Sequence, residues 1–256
     1  MALLIEFLLR LCLGMAAAMA WVSHPEVDSG YFRNHLYVIL GLATLAALLA
    51  ISAVPPALAW AIVIALLSYV GAILWLYEKP LPAKWTMWIV ALLSAVALLL
   101  TVRYRYVPNE PTPTFAWQGL NLQLIQAITS ACLIGSIMAA MLLGHWYLNA
   151  PGMKIRPLQG MLITSLVAWT LHSAVSGLGL ALEYQQLQSL STSWVLFALL
   201  RWLCLLGIVG LIYMTWQTLK IPNTQSATGI LYVAVIAVFT GEIASLVLSA
   251  ESTFPV

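Results

Sequence analysis

The chain has 256 residues, 63% of them hydrophobic and 7% charged, with a net charge of +2. A soluble domain carries about 25% charged residues because its surface must be hydrated, so this composition excludes a soluble globule and makes lipid the solvent for most of the surface. The small charge surplus gives no basis for nucleic-acid binding. No GxxxxGK[ST] phosphate loop, HExxH pair, CxxC pair or GxSxG elbow occurs either, so a non-enzymatic role fits better than a catalytic one.

A hydrocarbon core about 30 Å thick takes about 20 apolar residues as helix. Runs of that length predict eight spans, at approximately 2–23, 34–53, 56–77, 84–103, 120–145, 159–181, 192–216 and 228–250. None alternates in polarity as a β-barrel strand would, and helix satisfies the backbone within each span. The expected fold is therefore an all-α integral membrane protein, a bundle of about eight transmembrane helices.

The opening MALLIEFLLRLCLGMAAAMAWVSH ends in a leader-like Ala18-Met19-Ala20. It carries Glu6 and Arg10 inside the apolar run and no basic residues ahead of it, so it reads as a retained first span. Cys12, Cys132 and Cys204 fall singly in apolar stretches and read as packing residues, neither a disulfide framework nor a zinc site. Prolines punctuate the breaks at Pro25, Pro55-Pro56, Pro80 with Pro82, Pro108 to Pro113, Pro151 with Pro157, and Pro222.

The long connection RYRYVPNEPTPTFAWQ divides the chain into four-helix halves at 1–107 and 108–256. CLGMAAAMAWVSHPEV at the end of span one has a counterpart in CLIGSIMAAMLLGHWYLNAP at the end of span five. GAILWLYEKPLPAKW after span three similarly matches GLIYMTWQTLKIPNTQ after span seven. These pairings suggest two parallel four-helix repeats within one membrane domain.

Arg33, Lys79, Lys84, Lys154, Arg156 and Lys220 lie on one side of such a bundle, and Arg103 and Arg105 on the other. That bias makes the first side cytoplasmic, as in a bacterial inner membrane, and leaves both termini outside. Trp21, Trp75, Trp85, Trp88, Trp146 and Trp216 would form the cytoplasmic aromatic belt. In GHWYLNAPGMKIRPLQG, residues 144–160, the belt accounts for Trp146 and Tyr147 and topology for Lys154 and Arg156. His145 is left over.

A charge in hydrocarbon costs about 2.5–3.5 kcal/mol, so each one asks for a partner or a purpose. The intramembrane candidates are Glu6, Arg10, His172, Arg201 and Glu242. At 1.5 Å of rise per residue, Arg10, His172, Arg201 and Glu242 all fall roughly 12–15 Å below the outer boundary, on four different spans. Glu6 and Arg10 are spaced i and i+4 for a pair within one helix. Arg201 and Glu242, on consecutive antiparallel spans, are expected to pair with each other, and His172 to bond a serine or a carbonyl. One reading is structural, two neutralised pairs that fix packing. The other is a midplane polar cluster in which Glu242 and His172 exchange protons and Arg10 and Arg201 anchor an anion or carbonyl.

The histidines suggest two cofactor readings. A haem b needs two ligands at one depth. His172 lies too deep to share one with His145, whereas His35 or His24 with His145 would hold a haem at the cytoplasmic interface. Met138, Met141 and His145 fall on one face of span five, and Met15 and Met19 precede His24 on span one, a ligand set that suits copper(I). In helix number and in these Met/His ends, the chain resembles the copper-resistance CopD family of multispan inner-membrane proteins, which would imply copper handling.

Transport or translocation of a small solute or ion, alone or within a larger membrane complex, is the leading functional expectation. The alternatives are a membrane-anchor subunit of an electron-transfer complex, contacting quinone or binding haem through histidine, and a purely structural subunit. Short connections leave little room for chemistry outside the bilayer, so partners beyond lipid would be other membrane subunits.

Overall fold

The computed structural model describes residues 1–22, 24–106, 114–150, 152–186, 191–221 and 223–256. They form eight α-helices: α1 (Ala2–Trp21), α2 (Ser29–Ala53), α3 (Pro55–Leu76), α4 (Pro80–Arg105), α5 (Thr114–Asn149), α6 (Arg156–Gln186), α7 (Thr192–Lys220) and α8 (Thr224–Glu251). A short 3-10 turn, His24–Glu26, lies between α1 and α2. Each helix is long and apolar enough to cross a membrane. The expected eight-helix integral membrane bundle is what the chain forms.

Local chemistry sets the ends. Prolines open α3 and α4, where a missing N–H costs nothing. The Ser191 hydroxyl accepts from Trp194 N at 3.2 Å to cap α7, and Asn223 Oδ1 accepts from Ser226 N at 2.9 Å to cap α8. At the end of α3, Lys79 N donates to Leu74 O and Glu78 N to Trp75 O, a Schellman closure with Glu78 at φ 53. Several helices outrun the predicted spans because hydrogen bonding continues into polar residues that the apolar count omits. α5 starts at Thr114 where the span was predicted from 120, and α6 runs to Gln186 past the predicted end at 181.

The helices α1 to α4 close a ring, α1 packing on α2 and α4, and α3 on the same two. α5 to α8 close a second ring in the same order. The rings meet mainly along α1 and α5, with smaller contacts of α4 on α5 and α8 on α1. The predicted boundary at 107/108 lies outside the described residues.

At the α1–α5 seam the backbones touch. A Cβ on Gly14 would stand 1.8 Å from Ala131 O, and one on Gly135 would stand 2.0 Å from the Gly14 carbonyl carbon. Small residues at this level, Ala131 among them, allow the approach. In lipid, packing of this kind replaces the hydrophobic effect as the force between helices.

Two expected belt residues turn inward. Trp75 is 3% exposed and stacks on Phe32 at 4.4 Å, and Tyr147 is buried with its hydroxyl donating to Lys154 O. Each has a packed partner within the bundle that outweighs the interface. Trp21 and Trp85 remain exposed.

Candidate functional site

Glu6, Arg10, Arg105, His172, Arg201 and Glu242 gather toward the end of the bundle where α1 begins, in three layers running inward. In the outermost, Arg105 on α4 bends back over the bundle. Its Nε donates to Glu6 Oε2 at 3.0 Å, Nη2 to Gln123 Oε1 at 3.0 Å and Nη1 to Ser249 O at 3.2 Å. The stretch Ser252–Val256 lies across this layer: Gln123 Nε2 donates to Ser252 O and Thr253 O, and Phe254 N to Glu183 Oε2 at 2.9 Å.

One turn deeper, Arg10 is the hub. It pairs with Glu6 on its own helix and with Glu242 on α8, and Nη1 donates to Ser130 Oγ at 3.0 Å. Gln126 joins this layer, its Nε2 donating to Ser245 Oγ at 2.9 Å. Glu6 is fully buried, and Arg10 and Glu242 are each 2% exposed. Charges this dry persist only with this many partners.

In the third layer, Arg201 Nη2 lies 3.1 Å from His172 Nε2 and 2.5 Å from Ser176 Oγ, while Nη1 reaches Gly241 O at 3.4 Å. A guanidinium only donates, so His172 Nε2 accepts. The proton of the neutral ring is then on Nδ1, which donates to Thr129 Oγ1 at 3.2 Å, and that hydroxyl donates on to Gln126 O. Glu242 Oε2 stands 3.8 Å from the same Nε2, and with the ring neutral this is proximity rather than an ion pair. His172 Nε2 thus sits between a donor that needs it unprotonated and a carboxylate that would welcome a proton.

All five predicted intramembrane residues, Glu6, Arg10, His172, Arg201 and Glu242, come together in this network, but in successive layers rather than at one level, and with two corrections to their pairing. Arg201 and Glu242 do not pair: Arg10 reaches across the α1–α8 contact and takes Glu242, and Arg201 turns to α6. Consecutive position in the chain is a weaker guide than which face each helix turns to the centre. His172 bonds Thr129 and Arg201, not a serine or a carbonyl. Arg105, expected to mark only topology, belongs to the site, whereas Arg103 is exposed. Gln123, Gln126 and Ser130 also belong to the site; no charge singled them out in the sequence, though their i, i+3 and i+7 spacing puts them on one face of α5.

The boundary histidines His35 and His145 each have their own bonding partners. His35 is 6% exposed, its ring nitrogen Nδ1 2.5 Å from Tyr31 O, with Trp146 beside it at 6.4 Å between centroids. His145 is exposed, its Nδ1 3.3 Å from the Tyr232 hydroxyl, and His24 sits in the 3-10 turn. Met141 lies in the hydrophobic core and Met138, partly buried, packs against it. Among the described residues, no group of three or more His, Cys, Asp or Glu side chains gathers for a metal ion.

Eight apolar spans around a buried ionic network define a multi-pass integral membrane protein. Comparison with models of known protein families, with curated proteins and with solved structures finds no match.

Proposed function

We propose that the chain is a bacterial cytoplasmic-membrane protein, both termini outside, that moves a small ion or solute along the buried polar network, with Glu242 and His172 exchanging protons. The observation that carries this reading is continuity. From Arg105, which is 14% exposed, ion pairs run through Glu6 and Arg10 to Glu242, whose Oε2 stands 3.8 Å from His172 Nε2, and that nitrogen is bonded to Arg201. Ion pairs that only fixed packing would need no such chain, and Arg201 directs its donors to neutral groups alone.

His172 supplies the step. A proton arriving at Nε2 removes the acceptor of Arg201 and offers Glu242 Oε2 a charged partner from 3.8 Å away. The guanidinium is then released toward Ser176 and Gly241 O. Past this level no buried Asp, Glu, Lys or Arg continues the network among the described residues, and the Gly14–Gly135 crossing closes the α1–α5 seam. Passage therefore requires the rings to shift about the α1–α5 seam. The duplicated stretches CLGMAAAMAW and CLIGSIMAAM meet there, which supports reading 1–107 and 108–256 as parallel units with the site at their interface.

The test is proton flux into proteoliposomes holding a pH-sensitive dye under a potassium diffusion potential. Wild-type protein should conduct above protein-free vesicles, and Glu242→Gln should fall to that background while eluting and melting as a folded protein. Wild-type flux at background, or a Glu242→Gln variant that conducts normally, overturns the reading.

A further inference from the structure

Neighbouring helices in each ring pack closely, with one loose seam between α6 and α7. Two indoles hold it open. Trp169 Nε1 donates to Leu205 O at 2.7 Å, and the Trp202 ring lies over Gly177, 3.6 Å from where a Cβ would be. Near mid-height the helices are bridged by these rings and by the bonds of Arg201 to His172 and Ser176. On either side of the bridge a lobe remains, about 520 Å³ toward Lys220 and about 500 Å³ toward Trp194. Voids of this size, each lined by apolar side chains and open to the bilayer, forfeit dispersion contacts unless something fills them.

The lobe toward Lys220 is matched to one kind of molecule. Its wall, including Leu162, Leu166 and Val209, is aliphatic. From Val209 to Lys220 the helical rise is about 16 Å, close to half of a hydrocarbon core about 30 Å thick. At the interfacial end this wall gives way to Trp216, Gln217 and Lys220. Lys220 is exposed, and no carboxylate pairs with it among the described residues. An apolar slot one leaflet deep with a cation and an amide at its mouth has the length and charge of a phospholipid.

We propose that this lobe binds one anionic phospholipid, an acyl chain lying between α6 and α7 and the phosphate on Lys220 and Gln217, with Trp216 at the level of the ester carbonyls. A net negative headgroup is selected over a zwitterionic one because a choline or ethanolamine cation would stand against Lys220. The site depends on the indole spacers and on Lys220. It holds whether or not the polar network conducts.

Native mass spectrometry of the delipidated full chain, titrated with phosphatidylglycerol or phosphatidylcholine, tests it. The wild type should retain one phosphatidylglycerol with about fivefold preference over phosphatidylcholine, the factor one lysine near a membrane surface supplies. Lys220→Gln should erase that preference, and Lys79→Gln, on an exposed residue outside the lobe, should leave it. Leu166→Trp, which fills the lobe, should reduce both adducts while melting as the wild type does. Equal binding of the two lipids to wild type, a preference that survives Lys220→Gln, or adducts indifferent to Leu166→Trp would mean annular lipid only and overturn the proposal.

Discussion

Replacing Gly14 with alanine should separate the two rings. The added Cβ would stand 1.8 Å from Ala131 O and 2.8 Å from both the Ala131 carbonyl carbon and Gly135 Cα. All three are main-chain atoms, so no rotamer change relieves the clash, and ordinary contact requires α1 and α5 to part by about 1.5 Å. Overpacking costs typically about 1–3 kcal/mol, and a rigid backbone contact belongs at or above the top of that range. The shift also reaches the site, because Ser130, next to Ala131, is held 3.0 Å from Arg10. Gly207 and Gly210 on α7 have nothing within 4 Å of an added Cβ, so alanine there controls for helix propensity and should be neutral or slightly stabilising. Thermal unfolding in mild detergent, followed by loss of the monodisperse elution peak, is the assay. A Gly14→Ala protein that melts with the Gly207→Ala control would show that the seam is not a backbone contact.

Two further outcomes follow from the network. Arg105→Gln should destabilise the folded chain by about 3 kcal/mol, because it strips buried Glu6 of one of two cationic partners, while Arg103→Gln, on an exposed side chain, should stay within about 0.5 kcal/mol. Equal shifts in the two unfolding midpoints would refute that difference. His172 should give the nitrogen shifts of a neutral ring protonated at Nδ1 in ¹⁵N-histidine spectra of the membrane-embedded protein. The Nε2–H tautomer there would mean that Arg201 is bonded elsewhere.

The spans were legible because lipid imposes one demand on every segment: length and apolarity sufficient to cross. Pairing was not, since it depends on rotation about each helix axis, and helices apolar on all sides carry little periodic pattern to report it. Glu6 with Arg10 could be read from spacing alone, being local. Arg10 with Glu242 could not, as the two belong to different rings and meet only because the glycine crossing draws α1 and α5 together. Arg105 was hidden for a different reason. Just past its span it looked like a topology marker, and its side chain is long enough to run back along the bundle to Glu6. Trp75 and Trp146 show the same limit in reverse, their indole nitrogens enclosed where an interfacial position was expected.

The pairing of Glu6 with Arg10 on a single turn has a bearing on how the protein is made. Synthesis runs from the N-terminal end, so α1 leaves the ribosome long before Arg105 and Ser130, which lie 99 and 120 positions from their partners on α1. Inserted alone, two isolated charges would each oppose partition by about 2.5–3.5 kcal/mol. Neutralising each other within one turn, they let the helix wait in the bilayer as a nearly apolar rod until the later segments arrive.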